Sequence, residues 1–188
     1  PTVLAVRADK PWKTLADFIA DAKDRPGAIN YGSSGNYGTM HVPMEMFAGS
    51  AGITLTHIPY KGAGPAVVDL LAGQVDALST GPASIAQYVK SGKLRVLAGW
   101  GGTRLAAMPE VATLKEGGYD VEFTQWSGLF APAGTPEPVI TKLREVARAT
   151  AADPRFQQAM AAVETPIQFM DGEAFARFYA DEAKKLAG

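Results

Sequence analysis

The sequence contains no cysteine. That excludes a disulfide framework, a thiolate zinc site and a cysteine nucleophile. It fits an oxidising compartment, where a stray thiol is a liability, although cysteine-free chains also occur in the cytosol. Histidine is nearly absent, with two in 188 residues. No stretch approaches the ~20 consecutive apolar residues of a membrane span. No run of like charge occurs either. Eighteen Lys and Arg face nineteen Asp and Glu, for a formal net charge of -1. Nothing in that balance recruits nucleic acid or an acidic membrane surface. No signal peptide is visible. The chain opens at Pro1 and runs almost at once into an apolar strand, which reads as a trimmed or processed end.

What is present is ordinary for a globular protein: 47% hydrophobic and 20% charged residues. The length suits one domain, or two small lobes sharing strands. Val3 to Val6 is a short apolar run and predicts a buried strand. Thr14 is placed to cap a helix carrying Leu15, Phe18, Ile19 and Ala22 on one face. Ala28 to Tyr31 predicts a second strand, followed by a glycine-serine loop from Gly32 to Gly38 and a helix from about Met40 to Ala48. Proline is tolerated only in a helix's first turn. Pro43 therefore places that helix start at or just after Thr39.

The pattern repeats. Ile53 to Ile58 alternates as a strand, Pro59 to Gly64 is a loop, and Pro65 to Ala72 a helix. Gln74 to Leu78 is a strand, Thr80-Gly81-Pro82 turns into a helix, and Leu94 to Ala98 is another strand. Short links between alternating strands and helices predict an α/β layered domain with a largely parallel sheet. Phe123 to Ala131 reads as a longer strand. Beyond it come helical segments at about Val139 to Ala151, Pro154 to Ala161 and Gly172 to Leu186, which form a natural second unit.

The strongest chemical feature is Gly32-Ser33-Ser34-Gly35-Asn36-Tyr37-Gly38-Thr39. Glycines let backbone approach a ligand, hydroxyls supply neutral donors, and the helix start adds free N–H groups and a positive dipole end. Together they form a cradle for a carboxylate or phosphate. The alternative is a flexible turn in which Thr39 only caps the helix. Pro59-Tyr60-Lys61-Gly62 and Thr80-Gly81-Pro82 also close strands. In α/β sheets ligands sit at such carboxyl ends. The candidate ligand-binding residues are Ser33, Ser34, Gly35, Tyr37, Thr39, Thr80 and Gly81.

Enzyme signatures are weak. Gly32-x-Ser34-x-Asn36 fails the last position of a nucleophile elbow, and no Walker loop occurs. His41 and Glu45 are four apart, as metal ligands sometimes are, but a helix-face hydrogen bond or ion pair explains them without a third ligand. No catalytic residue, metal site or cofactor is expected. Of Trp12, Trp100 and Trp126, the last is the best candidate for a pocket wall.

The order of motifs is similar to that of a known family. Leu15 to Gly27, Tyr31 to Gly35, His57-Ile58-Pro59-Tyr60-Lys61-Gly62 and Gly73-Gln74-Val75-Asp76 resemble the tripartite tricarboxylate transporter substrate-binding family, the Bug receptors. The resemblance continues through Ser91 to Ala98, Pro109-Glu110-Val111-x-Thr113, Glu116-x-Gly118 and Gly128 to Pro136. It implies a two-lobed, Venus-flytrap receptor of the periplasm, of periplasmic-binding-protein type II, that captures a small carboxylate for membrane permease subunits and catalyses nothing. It also implies that backbone N–H groups, hydroxyls and waters hold the carboxylate.

By the same resemblance, relatives carry roughly a hundred further residues ahead of Pro1, about one domain's worth, which make up most of the first lobe. Residues 1–9 are then a hinge strand, 10–124 a complete second lobe, and 125–188 a hinge strand and C-terminal helices of the first lobe. Tyr37 and Gly38 depart from the small and hydroxyl residues usual there, and the glycine usual before Thr165-Pro166 is absent. The alternatives are a domain that folds without binding and self-associates, or a hydrolase using Ser33 or Ser34. Apolar stripes at Val139, Leu143, Val146 and at Phe175, Phe178, Tyr179 imply a tail that folds back or pairs with a second copy. Weak ligand binding is the expected consequence.

Overall fold

A computed structural model describes residues 2–162 and 167–187, with side chains of the last helix to residue 184. Thr165 and Pro166 lie outside the described residues. The chain divides into two compact units, Pro1–Trp126 and Ser127–Gly188, against a boundary read at Thr124 from the sequence.

The first unit is an α/β layer built on one five-stranded sheet. Its strands are β1 (Val3–Arg7), β2 (Asn30–Ser33), β3 (Thr56–Pro59), β4 (Ala77–Thr80) and β5 (Leu94–Gly99), in the order β3-β2-β4-β1-β5. β2 runs parallel to β3 and β4, whereas β1 runs antiparallel to both of its neighbours, β4 and β5. The sheet is therefore parallel except for β1. That strand is interior, and all of Val3, Leu4, Ala5 and Val6 are buried. A strand covered on both faces reads as a continuous apolar run, which is how the sequence presents it.

Helices α1 (Leu15–Asp24), α2 (Val42–Ala51), α3 (Ala63–Ala72) and α4 (Pro82–Lys90) connect the strands. Strand alternation sends successive side chains to opposite faces, so the unit has two apolar cores. One gathers Leu4, Tyr31, Ala77 and Ala98 with Phe18 of α1 and Phe47 of α2, around Trp100. The other gathers Val3, Ala5 and Leu78 with Leu70 of α3 and Ile85 of α4. Trp12 and Trp100 are buried in the first core and Trp126 is half-buried. The start of α1 is fixed locally. Asp17 N–H donates to Thr14 Oγ1 (3.1 Å), and Thr14 N–H donates to the Asp17 carboxylate (2.8 Å), a reciprocal cap.

Charge fastens the end of the sheet where β2 and β4 begin. Asp76 accepts from Lys10 Nζ (2.5 Å) and from Asn30 N–H (3.1 Å), and its own N–H donates to Asn30 Oδ1 (2.8 Å). The Gly73-Gln74-Val75-Asp76 motif thus acts at the end of the sheet away from the candidate site.

The long strand expected from Phe123 to Ala131 does not form among the described residues. Phe123 N–H donates to Trp100 O (2.8 Å), but beyond it no ladder forms among the described residues, and a strand needs a ladder whatever its propensity. Leu129 and Phe130 are instead exposed.

The second unit holds α5 (Glu137–Ala152), α6 (Pro154–Ala162) and α7 (Gly172–Ala187), close to the segments read from the sequence. Phe130 packs on Phe175 and Tyr179, at 5.7 Å between ring centroids in each case. Arg144 and Arg148 of α5 both pair with Asp171, at 2.7 and 2.5 Å.

Candidate ligand-binding site

The carboxyl ends of β2, β3, β4 and β5 and the amino end of β1 lie along one edge of the sheet. Ser33 stands beside Pro59, and Val3 beside both Thr80 and Gly99. Gly32 pairs with Leu78, so parallel register sets Ser33 beside Ser79. The loops after β2, β3 and β4 therefore leave from adjacent strand ends. Tyr60 N–H donates to Ser33 O (3.0 Å), tying the β3 loop to the cradle. Tyr60 is itself held by its phenol, which donates to Asp69 (2.7 Å). Burial and that bond push the phenol up to about 12.

Ser33 is fully buried at the end of β2. Its Oγ accepts from Gly35 N–H (3.1 Å), lies 3.0 Å from Gly35 O, and lies 2.6 Å from His57 Nε2. Gly35 has φ 133°, a conformation that glycine alone adopts without strain. Ser34 and Thr39 are half-buried. Tyr37 is the only non-glycine residue with positive φ among the described residues, at 57°, and it is 86% exposed. Thr80 ends β4 and Gly81 occupies the N-cap position of α4 in extended backbone.

Pro43 falls in the first turn of α2, as the sequence requires, but the N-cap position is His41 rather than Thr39. Gly38 O accepts from both His41 and Val42 N–H (3.0 and 3.1 Å), and His41 O accepts from Met44 and Glu45 N–H (3.0 and 3.1 Å). This extra turn satisfies the helix's own first donors. The free donors sit one step earlier: among the described residues no acceptor meets the N–H of Ser34, Asn36, Thr39 or Met40. Successive unpaired N–H groups in a turn make an anion-binding concavity.

Three further hydroxyls line the same edge. Thr2 Oγ1, Ser79 Oγ and Thr80 Oγ1 are buried without a hydrogen-bond partner among the described residues. Alternation puts Thr2 and Ser79 on the face covered by α1 and α2, together with Ser33, and Thr80 on the opposite face. Thr80 was legible as a strand-end hydroxyl. Ser79 and Thr2 were missed, although Ser79 interrupts an apolar strand and carries the same signal.

The sequence reading also missed an aromatic stack beneath the loop. His41 and His57 lie face to face, 3.9 Å between centroids and 15° between planes, and His57 stacks on Tyr31 at 5.0 Å. Tyr31 donates to Glu45 (2.5 Å). Burial, reinforced by that carboxylate, pushes its phenol upward. Burial holds the His57 imidazole below its ordinary value. The neighbouring His41 adds to the depression and Glu45 opposes it. His41 Nε2 is 3.8 Å from Glu45, and no cluster suited to a metal ion exists among the described residues. The helix-face interaction is thus the arrangement found.

The sequence model described as the tripartite tricarboxylate transporter family receptor matches residues 1–187. The chain belongs to that family. A relative from Cupriavidus necator, the UPF0065 protein in the gbd 5' region, is 39% identical over 182 residues, covering 97% of this chain and 55% of that one. Protein BugT of Bordetella pertussis is 32% identical over 190 residues, covering 100% of this chain and 58% of its own length. The chain thus spans about half the length of the curated relatives it matches.

Among solved structures, a TctC solute-binding protein from Polaromonas superposes with a TM-score of 0.80 at 31% identity, over 99% of this chain and 64% of that one. A Rhodopseudomonas palustris protein solved with adipate gives 0.83 at 27% identity, over 100% and 64%. MatC of R. palustris, solved with malate, gives 0.88 at 23% identity, over 99% and 65%, and speaks for the fold alone.

Proposed function

We propose that this chain is the ligand-clamping part of an extracytoplasmic solute-binding protein. It captures a small carboxylate in the periplasm and delivers it to membrane permease subunits, without catalysis or cofactor. The observation that carries this reading is the run of unpaired N–H groups in the β2–α2 loop, at the sheet edge where Thr2 and Ser79 bury partnerless hydroxyls on one face and Thr80 on the other. A buried hydroxyl without a partner costs about 1–3 kcal/mol. Several at one sheet edge, where α/β sheets take ligands, form a neutral donor set suited to an anion. Adipate in the R. palustris relative is of the same ligand class.

In this reading Ser33, Ser34, Gly35, Tyr37, Thr39, Thr80 and Gly81 border the carboxylate. Ser33 acts through the loop, because its own oxygen is buried against Gly35 and His57. Residues 10–124 form the clamping lobe, completed by β1, and 125–188 belong with the other lobe of the family fold. The Ser33–His57 pair argues little for a hydrolase. A nucleophile must reach its substrate, and among the described residues no carboxylate orients the other nitrogen of His57.

Calorimetry against mono-, di- and tricarboxylates and aromatic acids tests the proposal. Thr39→Ala should weaken the best ligand by about 1 kcal/mol or somewhat more, as for a hydrogen bond to a charged acceptor. A ligand bound elsewhere, with this loop empty, contradicts the assignment. A second reading rests on Val139, Leu143 and Val146, all about half exposed on α5. We propose that this stripe is where two copies associate.

A further inference from the structure

Both histidines of the chain lie beneath the candidate cradle, and one of them touches its backbone. Tyr37 N–H donates to His41 Nδ1 at 2.9 Å, while the Tyr37 ring meets the His41 ring edge-on at 5.7 Å. Tyr37 is the residue held at φ 57°, a region that L side chains with a Cβ rarely occupy and that the surroundings must hold in place. Among the described residues, the one hydrogen bond its backbone makes is the one it donates to His41.

We infer that His41 is a positioning residue: the lone pair on its Nδ1 locks Tyr37 in the left-handed conformation and so fixes the shape of the β2–α2 loop. This inference rests on the reading of that loop as a carboxylate cradle.

The chemistry of the lock is one-way. An imidazole nitrogen accepts a hydrogen bond only while unprotonated. The Tyr37 bond therefore selects the neutral ring with its proton on Nε2, the nitrogen 3.8 Å from the Glu45 carboxylate. A proton on Nδ1 would set N–H against N–H and release Tyr37. The charged and titratable groups around His41 are few. Glu45 lies one turn on along α2, with its carboxylate 3.8 Å from His41 Nε2. His57 of β3 is stacked on it at 3.9 Å. Tyr31 of β2 lies beyond, at 6.4 Å, with its phenol committed to Glu45. Ser33 fixes His57 from the other side (2.6 Å). The loop is thus anchored at Ser33 through one imidazole and at Tyr37 through the other.

The test joins nitrogen NMR of the His41 ring and the Tyr37 amide with calorimetry against adipate and malate across the imidazole range. Neutral His41 should be the Nε2-protonated tautomer, with the Tyr37 amide hydrogen-bonded until the ring is protonated. His41→Asn supplies an acceptor oxygen that does not titrate. It should keep the Tyr37 amide signal and the affinity, and flatten the pH dependence of both. His41→Phe keeps a flat ring but no acceptor. It should weaken adipate about tenfold, the loss of one hydrogen bond's worth of pre-organisation. In a Tyr37→Gly background, where the left-handed conformation is free of strain, His41→Phe should cost much less.

An Nδ1-protonated tautomer at neutral pH, or a His41→Phe protein with an unshifted Tyr37 amide, overturns the inference. If the unaltered chain binds neither acid, the cradle reading fails, and the tautomer and amide signals still decide the role of His41.

Discussion

Thr80 stands opposite Val3 across the β4–β1 ladder, and the hydroxyl it buries there meets no partner among the described residues. Valine has nearly the shape of threonine without the hydroxyl. Thr80→Val should therefore raise the free protein's stability by about 1–2 kcal/mol, the cost of the unpaired group. If the hydroxyl belongs to the carboxylate site, the same change should weaken ligand binding. Urea unfolding with and without malate reads both effects. A destabilised variant would mean that Thr80 Oγ1 is bonded in solution.

His57 should make stability depend on pH. Its folded value is depressed, by burial first and the neighbouring His41 second, so the unfolded chain takes up the proton sooner. The unfolded state then binds more protons between the folded value and the ordinary one near 6.5. Stability should be fully present above that ordinary value and should fall as pH drops through the window to the depressed one. His57→Gln cannot titrate and should flatten this slope in urea unfolding at several pH values. An unchanged slope would place the effect elsewhere.

Much of the first unit was legible because its cues are local. The Thr14 cap, Pro43 in the first turn of α2 and the apolar run at Val3 each act within a few residues, and each has its counterpart in the structure. The long strand at Phe123 to Ala131 was not legible, because a strand is made by its neighbour, and that neighbour does not appear in the sequence of the segment. The shift of the α2 cap from Thr39 to His41 has a related cause. Proline restricts where a helix begins but not how the turn before it closes, and Gly38 O closes it. The His41–His57 stack requires β3 to lie beside β2 in register, which pairs Tyr31 with His57; spacing along the chain carries no trace of it.

Asp76 should be the most sensitive charged residue of the sheet. It receives Lys10 Nζ and Asn30 N–H together, and it is partly buried. Hydrogen bonds to charged groups contribute about 1.5–3 kcal/mol. Asp76→Ala should cost about 2 kcal/mol in urea unfolding. Ligand affinity in the surviving folded protein should stay unchanged, because Asp76 lies at the far end of the strands from the cradle. A large loss of affinity at unchanged stability would contradict that placement.

The last prediction concerns α5. Val139, Leu143 and Val146 follow one another at helical spacing and are 47, 48 and 52% exposed. On the opposite account they are scattered surface residues, which need no explanation. Three on one stripe of a helix are better suited to a contact. An exposed apolar face of that kind marks an association surface. Burying one such side chain gains about 1.5–3 kcal/mol, so half-burying three in a symmetric pair is enough for weak self-association once the entropy of pairing is offset. Sedimentation velocity over a concentration series should show a reversible monomer–dimer equilibrium. Leu143→Gln with Val146→Gln keeps helix propensity and removes the apolar stripe; it should shift the equilibrium to monomer and leave the pH dependence set by His57 untouched. A chain that sediments as a monomer at every concentration would end the association proposal. A double variant that dimerises as well as the parent would place the contact on another face.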